Sequence, residues 1–191
     1  MNYSILVNKD NTVFRDFKVD NLISVGKKYS KKEAKYTDQD ILLESTAAKY
    51  LNKMLNVVNQ LDKNVIVIPD SGYRSYEYQE RVMNFYIEKE GLEKARARVA
   101  EPGTSEHHTG LAIDLAIIDH GIYNDELTGE EDVMSYLYRH AHEYGYILRF
   151  PKDKESITGY NYEPWHFRYV GLELAKELYE KNMTLEEYYN N

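Results

Sequence analysis

The amino-acid sequence predicts an α+β fold in which helices flank a central antiparallel sheet. Helical spacing of apolar residues appears early in the chain, whereas short strand-like runs cluster late. There is no regular alternation of strand and helix, which argues against a doubly wound parallel sheet. With 191 residues the chain is long enough to bury a core. We therefore expect one domain over 1–191, with a peripheral segment at 1–40 and a core at 65–188.

The first predicted elements differ in how clearly the sequence marks them. Residues 1–40 hold short apolar pieces among Lys, Asp and Asn, so we expect a small strand and loops on the surface of the domain. From Ser45 to Gln60 the apolar residues fall at helical spacing, and Ser45 or Thr46 is the expected N-cap. The β-branched run Val65–Pro69 predicts a buried strand.

A second helix is predicted over Tyr76–Glu90, and Gly91 is expected to end it. The residues expected to face inward from this helix are Val82, Phe85 and Tyr86. Glu101–Ser105 is typical of a turn, and Asp119–Glu130 is typical of a polar loop. The remaining predicted elements are, in order, a strand Gly110–Ile118, a helix Glu131–Tyr144 followed by Gly145, strands Tyr146–Phe150 and Trp165–Val170, a helix Leu172–Glu180, and a short helix opened by the capping box Thr184–Glu187.

Composition and charge exclude several classes of protein. The chain has no cysteine, so it has no disulfide framework, thiolate metal site or cysteine nucleophile. The 24 Lys and Arg against 32 Asp and Glu give a net charge of −8, which does not suit non-specific binding to nucleic acid or to an anionic membrane. No stretch approaches the ~20 apolar residues of a membrane span, and Met1–Val13 lacks the features of a signal peptide. We therefore expect a cytoplasmic protein.

The segment Ser105–Asp114 (SEHHTGLAID) carries side chains that can bind a metal. Gly110 allows a tight turn into the predicted strand. Asp114 lies on the face opposite the bulky apolar residues, between two alanines, which leaves room for a metal ion and water. His107 can fold over the same face, whereas His108 is expected to point the other way, and imidazole with carboxylate suits Zn²⁺. The alternative is that Asp114 is an edge-strand charge or a salt-bridge partner.

The segment Glu163–Phe167 (EPWHF) supplies a second imidazole. Along the predicted strand, His166 alternates with large aromatic residues and therefore faces away from them. Glu163 sits at the turn before the strand and can lie near the same metal without ligating it. The alternative for His166 is a structural histidine with its hydrogen bonds satisfied.

Together these side chains predict an open metal site with a hydrolytic role. Two His and one Asp leave the fourth tetrahedral position of a zinc ion for water, whereas a closed structural site needs four protein ligands. Zinc lowers the pKa of bound water toward ~7, and a nearby carboxylate can take its proton, a role that fits Glu163. Amide hydrolysis also needs a fixed donor for the oxyanion. Arg74, shortly after the strand at Val65–Pro69, is the best candidate.

At this point the sequence resembles a known family. SEHHTGLAID is similar to the S-x-H-x-x-G-x-A-x-D motif of the zinc D,D-carboxypeptidases and dipeptidases of the VanY and VanX type, which belong with the lysostaphin and hedgehog-type zinc fold. SGYRS followed by Gln79, and EPWHFRYVG, resemble the other two motifs of that group. The resemblance runs from about Val65 to Tyr188. It is closest to the soluble VanXY branch, because of the compact length, the missing signal peptide and the run from Tyr144 to Gly171.

The resemblance implies a single zinc ion on three ligands, which are His107, Asp114 and His166. It makes Glu163 the general base, and later the acid that protonates the leaving amine. It assigns the substrate carbonyl and its oxyanion to Arg74. Gln79 and Ser105 would contact the substrate peptide and its terminal carboxylate, and the loop Asp119–Glu130 would help to select the substrate.

The expected function is hydrolysis of the D-Ala–D-Ala dipeptide, removal of the C-terminal D-Ala of peptidoglycan precursors, or both. In the resembled family this chemistry produces glycopeptide (vancomycin) resistance. Two alternatives remain open, an L,D-carboxypeptidase that trims peptidoglycan tetrapeptides and a non-catalytic zinc module that binds cell-wall peptide or a protein partner. Glu163 and Arg74 argue against the module, because binding needs neither a base nor an oxyanion donor.

Overall fold

Strands and helices are distributed along the whole described chain. The computed structural model describes residues 2–190, apart from the side chains at positions 97 and 98. The strands are β1 (Leu22–Ser30), β2 (Lys35–Glu44), β3 (Val65–Ser71), β4 (Ala112–Asp119), β5 (Ile122–Asn124), β6 (Tyr146–Leu148) and β7 (His166–Tyr169). The α-helices are α1 (Ser45–Val58), α2 (Tyr76–Glu90), α3 (Leu92–Arg98), α4 (Asp132–His140), α5 (Glu155–Thr158), α6 (Leu172–Glu180) and α7 (Leu185–Asn190).

A five-stranded antiparallel sheet forms the centre of the fold. Its strand order is β3-β4-β7-β6, and β5 also pairs with β4. The prediction of an α+β fold with a central antiparallel sheet is therefore confirmed. In the register between β4 and β7, Asp114 lies opposite His166, and Ala112 lies opposite Arg168. This pairing places two of the predicted metal ligands side by side, although 52 positions separate them in the chain.

Strand β4 separates the hydrophobic core from the opposite side of the sheet. Leu111 just before β4, and Ile113 and Leu115 within it, are at most 1% exposed and belong to the main core. Helices α1 and α4 contribute apolar side chains such as Leu51 and Leu137 to the same core. Because side chains alternate along a strand, Asp114 points away from this core, as the sequence predicts.

The first 40 residues contain more regular structure than the sequence indicates. Instead of a small strand and loops, β1 and β2 pair as a long antiparallel hairpin that leads directly into α1. The pairing register shifts between Ser24 and Gly26 and again between Lys27 and Tyr29. Such irregularities break the alternation of apolar and polar residues by which a strand is recognised from sequence.

Helix α1 has a different N-cap from the predicted one. The carboxylate of Glu44 accepts hydrogen bonds from the backbone N–H groups of Thr46 (2.9 Å) and Ala47 (3.1 Å). The hydroxyl of Ser45 donates to Glu44 as well, at 3.0 Å. Ser45 and Thr46 are therefore the first residues of the helix, and the prediction that one of them caps it was wrong.

Helix α2 has the predicted bounds but presents a different face to the interior. Its buried residues are Gln79 and Met83, whereas Phe85, predicted to face inward, is 57% exposed. The apolar residues Val82 and Phe85 instead line a cleft, where a concave surface removes part of their area from water. The inward direction predicted for this helix was therefore wrong, while its end at the C-cap Gly91 is confirmed.

The later predicted elements occur in the predicted order with local differences, and the structure adds the helix α5, which was not predicted. The predicted helix Glu131–Tyr144 is α-helical only to His140 and ends in a 3-10 turn, which Gly145 terminates with φ 79°. The predicted loop Asp119–Glu130 contains the short strand β5. The capping box of α7 forms as predicted, because Thr184 and Glu187 exchange backbone-to-side-chain hydrogen bonds of 2.7 and 3.2 Å.

Among residues 2–190, no helix has the length and apolar character needed to cross a membrane.

Candidate active site

Three predicted ligands converge at one buried point of the fold. His107 lies in a 3-10 turn, Asp114 lies on β4, and His166 begins β7. One ligand atom from each side chain lies within 4.8 Å of the others. The Asp114 carboxylate is 3.2 Å from Nε2 of His107 and 3.0 Å from Nδ1 of His166. The sequence prediction of a His-Asp-His group is therefore matched by the geometry.

The imidazole of His107 is oriented by a backbone carbonyl. Its Nδ1 lies 2.7 Å from the carbonyl oxygen of Gly72, which leaves Nε2 directed at Asp114. Burial, reinforced by the positive charge of Arg74, lowers the pKa of His107 to about 4, so the ring is neutral near pH 7. A Cβ at position 72 would lie 2.4 Å from the carbonyl oxygen of Leu42, so this close approach requires glycine. A neutral, oriented imidazole is the form that binds a metal ion.

The imidazole of His166 lies between two carboxylates. Nδ1 faces Asp114, and Nε2 is 3.4 Å from an oxygen of Glu106. Burial alone would lower the pKa of His166, but hydrogen bonds to Asp114 and Glu106 outweigh it and raise the pKa to about 9. Burial would raise the pKa of Asp114, yet the two imidazoles hold it well below its usual range. Asp114 therefore stays ionised at a buried point between the two imidazoles and offers a negatively charged ligand to a cation.

The donor set fits a zinc ion with an open position. Two imidazole nitrogens and one carboxylate oxygen are typical zinc ligands, and three protein ligands are typical of catalytic sites. Across residues 2–190, no fourth His, Cys, Asp or Glu belongs to this group. All three side chains also line the cleft, so a zinc ion held by them would be within reach of water and substrate.

Glu163 stands next to the metal-ligand group without belonging to it. Its Oε2 lies 3.6 Å from Nδ1 of His166, and its backbone N–H donates to the carbonyl of Phe150. The side chain is 25% exposed and lines the cleft. Burial is the main cause that raises the pKa of Glu163 to about 7, and the Asp114 carboxylate adds to this effect. A carboxylate with such a pKa can both take and return a proton near neutral pH.

Arg74 also reaches the group from the turn after β3. Its Nη2 is 2.9 Å from the Asp114 carboxylate, and its Nε donates to the Ser71 hydroxyl at 3.0 Å. Its backbone N–H donates to the carbonyl of His107 at 3.1 Å, which fixes the turn against the metal-ligand segment. The guanidinium lines the cleft and can present donors to a bound molecule.

The two predicted substrate contacts occupy different positions. Ser105 is 4% exposed and lines the cleft beside His107. Gln79 is fully buried, donates from Nε2 to the carbonyl of Ala100 at 2.8 Å, and accepts from Arg74 at 3.5 Å. Its side chain is not among those that line the cleft, so it is placed behind Arg74. Direct contact between Gln79 and substrate stays a prediction that this placement does not support.

The cleft extends well beyond the metal-ligand group. Its volume is about 760 Å³, and helix α2, the segment after α3, and residues 159–163 form its walls. Lysine and arginine side chains also line it, among them Lys9, Lys28 and Arg81. No residue of 119–130 lines the cleft, because this segment pairs at the far end of β4. A role of Asp119–Glu130 in substrate selection stays a prediction, and helix α2 contributes side chains to the wall of the cleft.

His108 and Glu106, the two residues that flank His107 in the chain, have different surroundings in the structure. His108 faces away from the group, as predicted, with Nδ1 2.8 Å from the carbonyl of Arg74 and Nε2 accepting from Gly103. Glu106 was not predicted from the sequence; it is 3% exposed and contacts Arg149, Arg168 and His166. Two arginines within strand-like apolar runs were the available signal, because a buried guanidinium needs a buried carboxylate.

Comparison with known proteins identifies the family of the chain. The family model described as VanY, D-alanyl-D-alanine carboxypeptidase, matches residues 40–172. The chain belongs to this family. A bifunctional D-Ala-D-Ala dipeptidase and carboxypeptidase of Enterococcus gallinarum, VanXYC, is 35% identical over 161 residues, which are 82% of this chain and 82% of that protein.

Solved structures give the same result at the level of the fold. The LD-carboxypeptidase LdcB matches with a TM-score of 0.81 and 34% identity, over 97% of this chain and 84% of that chain. A vancomycin-resistance D,D-pentapeptidase, VanY from a VanB-type cassette in complex with Zn(II), matches with a TM-score of 0.76 and 31% identity, over 98% of this chain and 99% of that chain. The family, the fold and the class of enzyme, a metallopeptidase, are thereby shown.

Proposed function

We propose that the protein is a zinc-dependent D,D-peptidase that removes the C-terminal D-Ala of peptidoglycan precursors, and that it also accepts the D-Ala–D-Ala dipeptide. The observation that carries the proposal is the group of His107, Asp114 and His166 with Glu163 beside it at one end of an open cleft. Membership of the VanY family supports it, as do the D,D-peptidase activities named for two of the relatives.

In this proposal His107, Asp114 and His166 hold the zinc ion, and zinc supplies Lewis acidity at the end of the cleft. Glu163 accepts a proton from the attacking water and returns it to the leaving amine, a task that suits a carboxylate with a pKa of about 7. Arg74 donates hydrogen bonds to the scissile carbonyl oxygen as negative charge develops there.

The size and lining of the cleft are compatible with a peptide longer than two residues. A volume of about 760 Å³ falls within the range of about 300–1,000 Å³ typical of ligand pockets. Lys9, Lys28 and Arg81 line its walls and can attract carboxylates of a longer acidic peptide. Ser105 is available in the cleft to a terminal carboxylate, while Gln79 supports Arg74 from behind.

An L,D-carboxypeptidase that trims tetrapeptides is the second candidate. The similarity to LdcB, an LD-carboxypeptidase, favours it specifically. Both activities use the same metal-ligand group and base, so only the reaction products separate them. A role in glycopeptide resistance follows from the D,D-activity, since loss of the terminal D-Ala changes the precursor on which such antibiotics act. The cytoplasmic location stays a prediction of the sequence.

The direct experiment is a product analysis by mass spectrometry. The zinc-loaded protein is incubated with the D-Ala–D-Ala dipeptide, a pentapeptide ending in D-Ala–D-Ala, and a tetrapeptide ending in a single D-Ala. We expect D-Ala release from the pentapeptide, and to a smaller extent from the dipeptide, with loss of at least 10²–10⁴-fold in Glu163→Gln. Glu130→Gln, at an exposed position outside the cleft, serves as the matched control. Release only from the tetrapeptide would establish the second candidate, and undiminished turnover in Glu163→Gln would refute the assigned base.

A further inference from the structure

Glu106 is a buried acid that the proposed chemistry does not use directly. One of its carboxylate oxygens, Oε1, accepts from Nε of Arg149 at 2.8 Å and from Nη1 of Arg168 at 2.7 Å. The other, Oε2, faces Nε2 of His166 at 3.4 Å. Glu106 and both arginines are at most 3% exposed, so these contacts are largely shielded from bulk solvent. Oε1 therefore binds the two arginines, whereas Oε2 contacts His166.

We propose that Glu106 is a positioning residue for the metal site, which fixes the orientation and tautomer of His166. Because Nε2 donates its proton to Oε2, Nδ1 is the nitrogen left to bind the proposed zinc ion, on the side of the ring that faces Asp114. The inference rests on the proposed zinc site. His107 is served in the same way by the carbonyl of Gly72, so both imidazoles have an acceptor on the nitrogen remote from the metal.

The two arginines that hold Glu106 are themselves held by segments near opposite ends of the chain. Arg149 also donates to Glu186 of α7, at 2.8 Å through Nη1. Arg168 donates to the backbone carbonyl of Ile5 at 2.7 Å, near the N-terminus. A buried carboxylate with two cationic partners stays ionised, and therefore remains an acceptor for the imidazole. The rigid placement of both arginines gives the Glu106 carboxylate little freedom to turn.

The substitution Glu106→Gln separates positioning from simple structural support. In Gln, one oxygen becomes an NH₂ group. Because the two arginines can only donate, the amide oxygen must face them, and the NH₂ group then faces His166. That NH₂ donates to Nε2 instead of accepting from it, which forces the proton onto Nδ1, the nitrogen that the metal needs. Glu186→Gln is the matched control, because Glu186 is 6% exposed and also contacts Arg149 but does not contact His166.

The test measures zinc affinity by competition with a chelator, together with the melting temperature of each metal-free protein. We expect Glu106→Gln to bind zinc about 10–100-fold more weakly than wild type, while Glu186→Gln keeps near wild-type affinity even where its melting temperature falls. Glu106→Asp, which keeps the charge between the arginines and withdraws from His166 by one methylene, provides the measurement if Glu106→Gln does not fold, and we expect it to weaken zinc binding too.

Equal losses of zinc affinity in Glu106→Gln and Glu186→Gln would show structural support only and overturn the inference. Wild-type affinity in a folded Glu106 variant would overturn it as well. The absence of zinc binding by the wild-type protein is a different result, because it would refute the proposed function together with this inference.

Discussion

Arg74 is a cationic side chain that contacts the metal-ligand group directly, through Asp114. It is part-buried and lines the cleft, so its donors act where water is partly excluded. A fixed donor of this kind stabilises negative charge on a carbonyl oxygen more strongly than solvent does. Its hydrogen bonds to Ser71 and Asp114 keep the guanidinium in place before substrate arrives.

Replacing Arg74 by Ala should lower kcat about 10²–10³-fold, equivalent to about 3–4 kcal/mol, because the donor acts mainly on the transition state. Steady-state kinetics on the pentapeptide measures this loss. The zinc content is determined in the same samples, since Asp114 loses a partner in the variant. An unchanged kcat in a zinc-loaded Arg74→Ala protein would show that Arg74 is not the donor to the carbonyl oxygen.

Arg81 lines the same cleft but has an exposed side chain on α2. We expect Arg81→Ala to raise KM for the pentapeptide a few-fold, about 0.2–1 kcal/mol, and to leave the dipeptide KM unchanged. The comparison of the two substrates at low ionic strength measures the effect, because exposed charge pairs are screened by salt. Equal changes for both substrates would place Arg81 outside the recognition of the longer peptide.

At the level of elements, sequence pattern predicted most clearly those segments that bury one regular face. The alternation in β4 predicted both the core side and the position of Asp114, and the helical spacing of α1 predicted its buried residues. The pairing of Asp114 with His166 could not be predicted, because cross-strand register depends on contacts between distant segments. The hairpin of β1 and β2 was missed because its register shifts disturb the pattern.

The N-cap of α1 provides a test at this scale. Glu44 accepts two backbone N–H groups, so Glu44→Ala should reduce the free energy of unfolding by about 1–2 kcal/mol. Ser45→Ala should cost less, because the Ser45 hydroxyl contacts only Glu44 among the hydrogen bonds of this cap. Denaturant unfolding of both variants measures the difference. A larger loss of unfolding free energy in Ser45→Ala than in Glu44→Ala would instead support Ser45 as the N-cap, as the sequence predicts.

Across the whole molecule, the metal site is connected to both ends of the described chain. Arg168 reaches backbone carbonyls of Tyr3 and Ile5, and Arg149 reaches Glu186 near the C-terminus. Burial would raise the pKa of Glu106, but these two arginines outweigh it and hold the pKa well below the usual range. Sequence motifs could not reveal this arrangement, because Glu106 and Arg168 lie within recognised segments but Arg149, Glu186 and the residues near the N-terminus lie far from them in the chain.

Zinc binding should therefore stabilise the entire fold. At free zinc of about 100 times Kd, linkage gives about 2.7 kcal/mol, which is about 5–10 °C in Tm for a chain of this size. Thermal unfolding with and without chelator measures the shift. His107→Ala should show little of it, because one of the three ligands is missing. The same shift in that variant would locate the stabilising zinc elsewhere.

A crystal structure of the zinc-loaded protein, with anomalous scattering recorded at the zinc edge, tests the central claim most directly. We predict one zinc ion per chain, ligated by Nε2 of His107, a carboxylate oxygen of Asp114 and Nδ1 of His166, with the fourth position facing the cleft and free of protein atoms. A fourth protein side chain on the ion, or a zinc ion bound at a different place, would contradict the assignment of these residues to a hydrolytic centre.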